Sequence, residues 1–125
     1  MLELPEMFKY NFENLEVWKL SLKINYEILN LIKKFPASER YALSDQIKRA
    51  TLSISLNIAE GSGRGSKKDF KRFIRNAVGS VLEVIACLKI ADQQKYLKVE
   101  ECEKSDQLLK EIYFKLLKLE KYLKE

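Results

Sequence analysis

Six cations fall within 12 residues: Arg64, Lys67, Lys68, Lys71, Arg72 and Arg75, relieved only by Asp69. Side chains of this kind bind anions, phosphates above all, because each donates several charge-assisted hydrogen bonds. The same region carries the charge of the whole chain. Residues 41–75 hold eight Lys/Arg against three Asp/Glu, whereas residues 1–40 (six against six) and 76–125 (nine against nine) are balanced, so the net +5 lies in the middle. Cations at the start of a helix oppose its dipole and repel each other, a strain that an external anion relieves. The preceding Gly61-Ser-Gly-Arg-Gly65 lets a phosphate approach backbone N–H groups. It lacks the Gly-Lys-Ser/Thr ending of a Walker loop, and no helix-turn-helix, zinc-ligand or aromatic-platform motif accompanies it. Phosphates and shape should therefore dominate over base readout, as with structured RNA or unspecific duplex. A solvated face that only keeps the chain soluble is the competing explanation.

A second group, Gln46, Arg49, Ser53, Asn57 and Glu60, recurs every three or four residues and forms one row of a helix. Polar atoms left unpaired beside apolar neighbours cost on the order of 1–3 kcal/mol each, so the row needs partners, across helices or across subunits. Glu60 or Glu83 as an acid or base would make an enzyme, but no second acid, base or metal ligand converges with either. The chain has no histidine, which removes the commonest general base and metal ligand. It likewise excludes the Glu-x-x-His di-iron bundle. No catalytic residue, metal or cofactor is expected.

Four helices account for these positions. Residues from about Asn14 to Lys34 carry two apolar rows at helical spacing, Leu15, Trp18, Leu22, Leu29, Ile32 and Val17, Leu20, Ile24, Ile28, Leu31. Phe35-Pro36 ends that helix. Ser44 is the expected N-cap of a second helix that reaches about Glu60, where the glycines break it. Ser66-Lys-Lys-Asp69 has the form of a capping box opening a third helix to about Gln94, with Phe70, Phe73, Ile74, Ala77, Val81, Leu82 and Leu88 as its core face. A fourth, from about Val99 to Leu123, buries Leu108, Leu109, Ile112, Leu116, Leu119 and Leu123. Long helices with short connections predict an all-α, antiparallel, up-down-up-down four-helix bundle. Residues 1–11 read as an N-terminal arm and residues 12–125 as one domain.

The second helix is apolar on two sides. Leu43, Ile47, Ala50, Ile54 and Ile58 form the core stripe, and Leu52, Leu56 and Ala59 lie nearly opposite. That second stripe points to self-association, in preference to scattered surface leucines. Cys87 and Cys102 match no metal or redox spacing and read as free thiols. The N-terminus has no signal-like apolar stretch, so a cytoplasmic protein away from membranes is expected.

The residues also carry a resemblance. Phe12-Glu-Asn-Leu-Glu-Val-Trp-Lys19, then Phe35-Pro36, Gln46-Ile47, Arg49-Ala50, Ser53-Ile54, Asn57-Ile-Ala-Glu-Gly61, Gly63-Arg64, Ser66, Asp69-Phe70, Arg72-Phe73, Gly79-Ser80 and Glu83 resemble the four-helix-bundle proteins encoded in intervening sequences of bacterial 23S ribosomal RNA genes. The likeness spans about residues 12–95, and the Asn-Ile-Ala-Glu-Gly block is its most specific part. It implies a ring-like homopentamer and association with ribosomal RNA or the ribosome. The accessory proteins of diversity-generating retroelements, basic pentameric barrels that engage nucleic acid and a reverse transcriptase, are similar in fold. The leading expectation is a non-enzymatic, oligomeric RNA-binding protein. The alternative is an adaptor whose basic face meets an acidic or nucleic-acid-bound partner such as a polymerase or reverse transcriptase.

Overall fold

A computed structural model describes residues 10–123. Its four long helices are α1 (Glu16–Ile32), α2 (Leu43–Ser62), α3 (Lys67–Gln93) and α4 (Val99–Tyr122). Short 3-10 turns, Asn11–Asn14 and Ala37–Glu39, precede α1 and α2. Each helix packs against two neighbours in the cycle α1–α2–α3–α4, and α2 with α3 is the most extensive contact. At one end of the bundle Phe35 meets Tyr96, and the Tyr96 hydroxyl donates to Glu39 Oε2 at 2.7 Å. The end of α1, the start of α2, the end of α3 and the start of α4 therefore share that end. Glu16–Lys115 and Glu27–Lys104 pairs run in opposite senses along α1 and α4, as antiparallel neighbours require. The up-down-up-down bundle is thus the observed architecture.

The core stripe of α2 falls as its periodicity predicts: Ile47, Ala50, Ile54 and Ile58 are buried, with Leu43 half-buried at the edge. Ile24, Ile28, Ile74, Val81, Val84, Leu109, Ile112 and Leu116 complete the centre. Of the two apolar rows of α1, the row Val17, Leu20, Ile24, Ile28 and Leu31 is buried, while Leu22 and Leu29 of the other row are exposed. Leu82 of α3 is exposed as well. Each helix of a bundle turns one stripe inward, and a broad apolar arc leaves its outer row in solvent.

Two helix ends differ from the sequence reading. Ser44 does not cap α2; Ala42 stands at the N-cap position, and the Glu39 carboxylate accepts from the Leu43 N–H at 3.4 Å instead. At the other end α2 runs through Gly61 to Ser62, so Gly61 is buried inside the helix and does not break it. The turn that follows contains Gly65 at φ +84°, a left-handed conformation that suits glycine. Ser66 caps α3 as predicted, its hydroxyl accepting from the Asp69 N–H at 3.1 Å. Of the expected arm, residues 1–9 lie outside the described residues, and Asn11 already belongs to the turn whose Phe12 packs edge-on against Trp18 at 4.6 Å.

Glu101, in the first turn of α4, receives the Lys34 ammonium and the Lys98 backbone N–H at 2.8 Å, which hold its carboxyl below the usual carboxylate range. A carboxyl lowered on folding stabilises the fold above that range and loses its contribution as pH falls through the lowered value. Glu101→Gln is therefore expected to lower Tm at neutral pH, with the gap to the wild type closing on acidification. A gap that stays constant from pH 7 to pH ~3 would remove Glu101 from the acid limb.

Candidate nucleic-acid interface

The basic residues gather at the end of the bundle opposite Tyr96, where α2 stops and α3 begins. Lys67, Lys68 and Lys71 are exposed, and among the described residues none of the three makes an ion pair. Arg64 and Arg72 lie 3.8 Å from Glu60 and 3.7 Å from Asp69, too far for a hydrogen bond. Both guanidinium groups instead sit over the Phe73 ring, 4.7 and 4.6 Å from its centroid. Phe73 is buried, and its Cβ comes so near α2 that a Cβ built on Gly61 would lie 2.7 Å from it. The glycine is there to let α3 approach.

Arg75 is placed differently from its neighbours. Its guanidinium forks onto Glu120 of α4, Nε donating to Oε2 at 2.7 Å and Nη2 to Oε1. This contact raises the Arg75 pKa and offsets its charge locally. Lys68, Lys71, Arg72 and Arg75, with Asp69 and Glu120, line one shallow hollow. Five of the six predicted cations thus present free or loosely held charge, and the sixth ties α3 to α4.

The polar row on α2 has its partners within the chain. Gln46 donates to Glu83 of α3, and Ser80 of α3 donates to Ser53 at 2.9 Å. Asn57 donates to the Ser53 carbonyl at 2.8 Å and to its hydroxyl at 3.0 Å. Arg49 bonds Asp45 at 2.9 Å in its own helix, and Glu60 faces Arg64. The row is a seam between α2 and α3, and neither Arg49 nor Glu60 anchors it. Among the described residues no buried side-chain polar atom lacks a partner.

On the outside of α2, Leu52 and Leu56 are 51% and 55% exposed, and Ala59 is half-buried. Leu22 and Leu29 of α1, 50% and 49% exposed, belong with them. They flank Asn25 in one helical row, as Leu52 and Ala59 flank Ser55, and Asn25 donates to Ser55 at 3.0 Å. The α1–α2 pair therefore turns a run of leucines to the outside. Sequence periodicity left open which of the two apolar rows of α1 turns inward; the register of Leu22 and Leu29 with Asn25 places them here.

Cys87 and Cys102 are free, and burial pushes both thiols up, which makes them poor nucleophiles. No group of His, Cys, Asp and Glu among the described residues could hold a metal ion. Nor is any helix long and apolar enough to cross a membrane.

The family described as 23S rRNA-intervening sequence protein matches residues 13–118. The chain belongs to this family. The match takes in α1, α2, α3 and most of α4, and with them every cation of the basic end. A crystal structure from Bacteroides thetaiotaomicron, of a protein of unknown function from the S23 ribosomal protein family, is 27% identical with a TM-score of 0.77. The alignment covers 84% of this chain and 98% of that one, so the family bundle is shared over nearly its whole length. No curated protein matches the chain.

Proposed function

We propose that this intervening-sequence family member is a non-enzymatic oligomer that binds RNA, ribosomal RNA or the ribosome in particular, through the α2–α3 end. The observation that carries this reading is the lysine cluster of α3. Lys67, Lys68 and Lys71 crowd the first turns of a helix, exposed and, among the described residues, without an ion pair. Such charge is unfavourable at a helix N-terminus and becomes favourable when phosphates complete it. The family description, which places these proteins with 23S ribosomal RNA genes, supports RNA as the polyanion.

Oligomerisation rests on the outer α1–α2 face. Leu22, Leu29, Leu52 and Leu56 give an exposed apolar surface of the kind that marks a subunit contact. A ring, a homopentamer by the family resemblance, would repeat a weak phosphate site and gain avidity without new contacts. Light scattering should find a multiple of the 14.7 kDa chain mass, lowered by Leu52→Glu/Leu56→Glu in a chain that stays helical. A monomeric wild type would remove the oligomer.

Fluorescence anisotropy against a structured ribosomal RNA fragment, over a salt series, tests the RNA reading. With about four phosphates neutralised per subunit, log affinity should fall against log salt with a slope of roughly −3 to −4. Absence of binding at low salt refutes it and turns attention to an acidic protein partner.

A further inference from the structure

The chain has five arginines, all between Arg40 and Arg75, and every other cation is a lysine. Two of the five are spent in an unusual way. Arg64 comes from the turn after α2 and Arg72 from the second turn of α3, yet both place the guanidinium carbon over one ring, Phe73, at 4.7 and 4.6 Å. The ring is fixed by the approach of α3 to Gly61. The acidic neighbours, at 3.8 and 3.7 Å, do not orient these groups, whereas Glu120 orients Arg75 through a direct fork. The side chains remain 44% and 59% exposed. A point charge for phosphate requires only a lysine, and lysines stand beside both. What arginine adds is a flat face, held here with its guanidinium carbon over the Phe73 ring.

We propose that Arg64 and Arg72 form a stacking platform for unpaired bases, so that the RNA recognised is a loop, bulge or junction. The proposal rests on the RNA-binding reading above and names the substrate class of the same site. A guanidinium plane backed by an aromatic ring can take a splayed-out base on its open side. Stacking of this kind tolerates any base, because every base has a π-face. A continuous duplex offers no such face along its flank and meets the lysines and arginines of this end only as charge. The site therefore selects by RNA structure and not by sequence.

The test compares a fully paired RNA duplex with a hairpin of equal nucleotide number that carries an unpaired loop. Wild-type protein is expected to bind the hairpin about ten-fold more tightly, the contribution of one stacked base. Arg64→Lys/Arg72→Lys keeps every charge and should lose that preference, with duplex affinity and salt slope unchanged. Lys68→Gln/Lys71→Gln should weaken both RNAs alike, and each single Arg→Lys variant serves if the double variant unfolds. Equal wild-type affinity for the two RNAs, or a preference that survives the lysine exchange, overturns the platform while leaving RNA binding intact. No binding of either RNA overturns the RNA reading itself.

Discussion

Lys68→Glu/Lys71→Glu/Arg72→Glu should bind structured RNA about 10²–10³-fold more weakly than the wild type, because each charge-assisted phosphate contact is worth roughly 1.5–3 kcal/mol and losses at neighbouring sites are not additive. All three side chains are exposed on α3, so the bundle should survive the exchange. Changing net charge alone also weakens RNA binding, and the control must match it. Lys89→Glu/Lys95→Glu/Lys98→Glu makes the same change at the opposite end of the bundle, where the side chains are exposed too. That variant should retain most of the affinity. Equal losses in both variants would mean that RNA senses only the overall charge and that the α2–α3 end is not a site.

Gly61→Ala should destabilise the fold by roughly 1–3 kcal/mol, although alanine is the better helix former by about 1 kcal/mol. The added Cβ would stand 2.7 Å from Phe73 Cβ and 3.0 Å from Phe70 Cδ1. Phe73 Cβ is the root of its side chain and cannot swing aside, so α3 must move away from α2. The predicted fall in Tm is about 3–5 °C per kcal/mol for a chain of this length. Gly79 offers the contrast, since it is exposed in α3 and a Cβ there meets nothing within 4 Å. Gly79→Ala should raise Tm slightly. A Gly61→Ala protein as stable as the Gly79→Ala one would show that α2 and α3 lie farther apart. Because the same displacement carries Phe73, Gly61→Ala should also disturb the Arg64 and Arg72 guanidiniums.

Much of the architecture was legible in the sequence because each helix obeys local rules. The Ser66 cap and the α3 core face Phe73, Ile74, Ala77 and Val81 follow from spacing alone. What spacing could not decide was which of the two adjacent apolar rows of α1 turns inward, the one with Leu22 and Leu29 or the one with Ile24 and Ile28, and Leu82, expected on the core face of α3, is exposed. The start of α2 was misread because its cap comes from Glu39, outside the helix. At the basic end, exposure of the cations followed from the helical wheel. Their division into three lysines without an ion pair among the described residues, two arginines over one ring and one clamped arginine did not. Arg75 and Glu120 are 45 positions apart in sequence, and Arg64 and Arg72 meet over Phe73 because a glycine admits α3 to α2.

Between α1 and α2 lies a small buried set of polar groups. Ser55 donates to Ser21 at 2.8 Å, Ser21 donates to the Trp18 carbonyl at 2.6 Å, and Asn25 reaches Ser55. A slip of one helical turn, about 5.4 Å, would break these bonds, and each buried polar group left without a partner would cost roughly 1–3 kcal/mol. The pair consequently resists sliding in a way that a purely greasy seam would not. Under a load applied along its axis, the α1–α2 pair should resist shear between its two helices, with the hydroxyls acting as a detent.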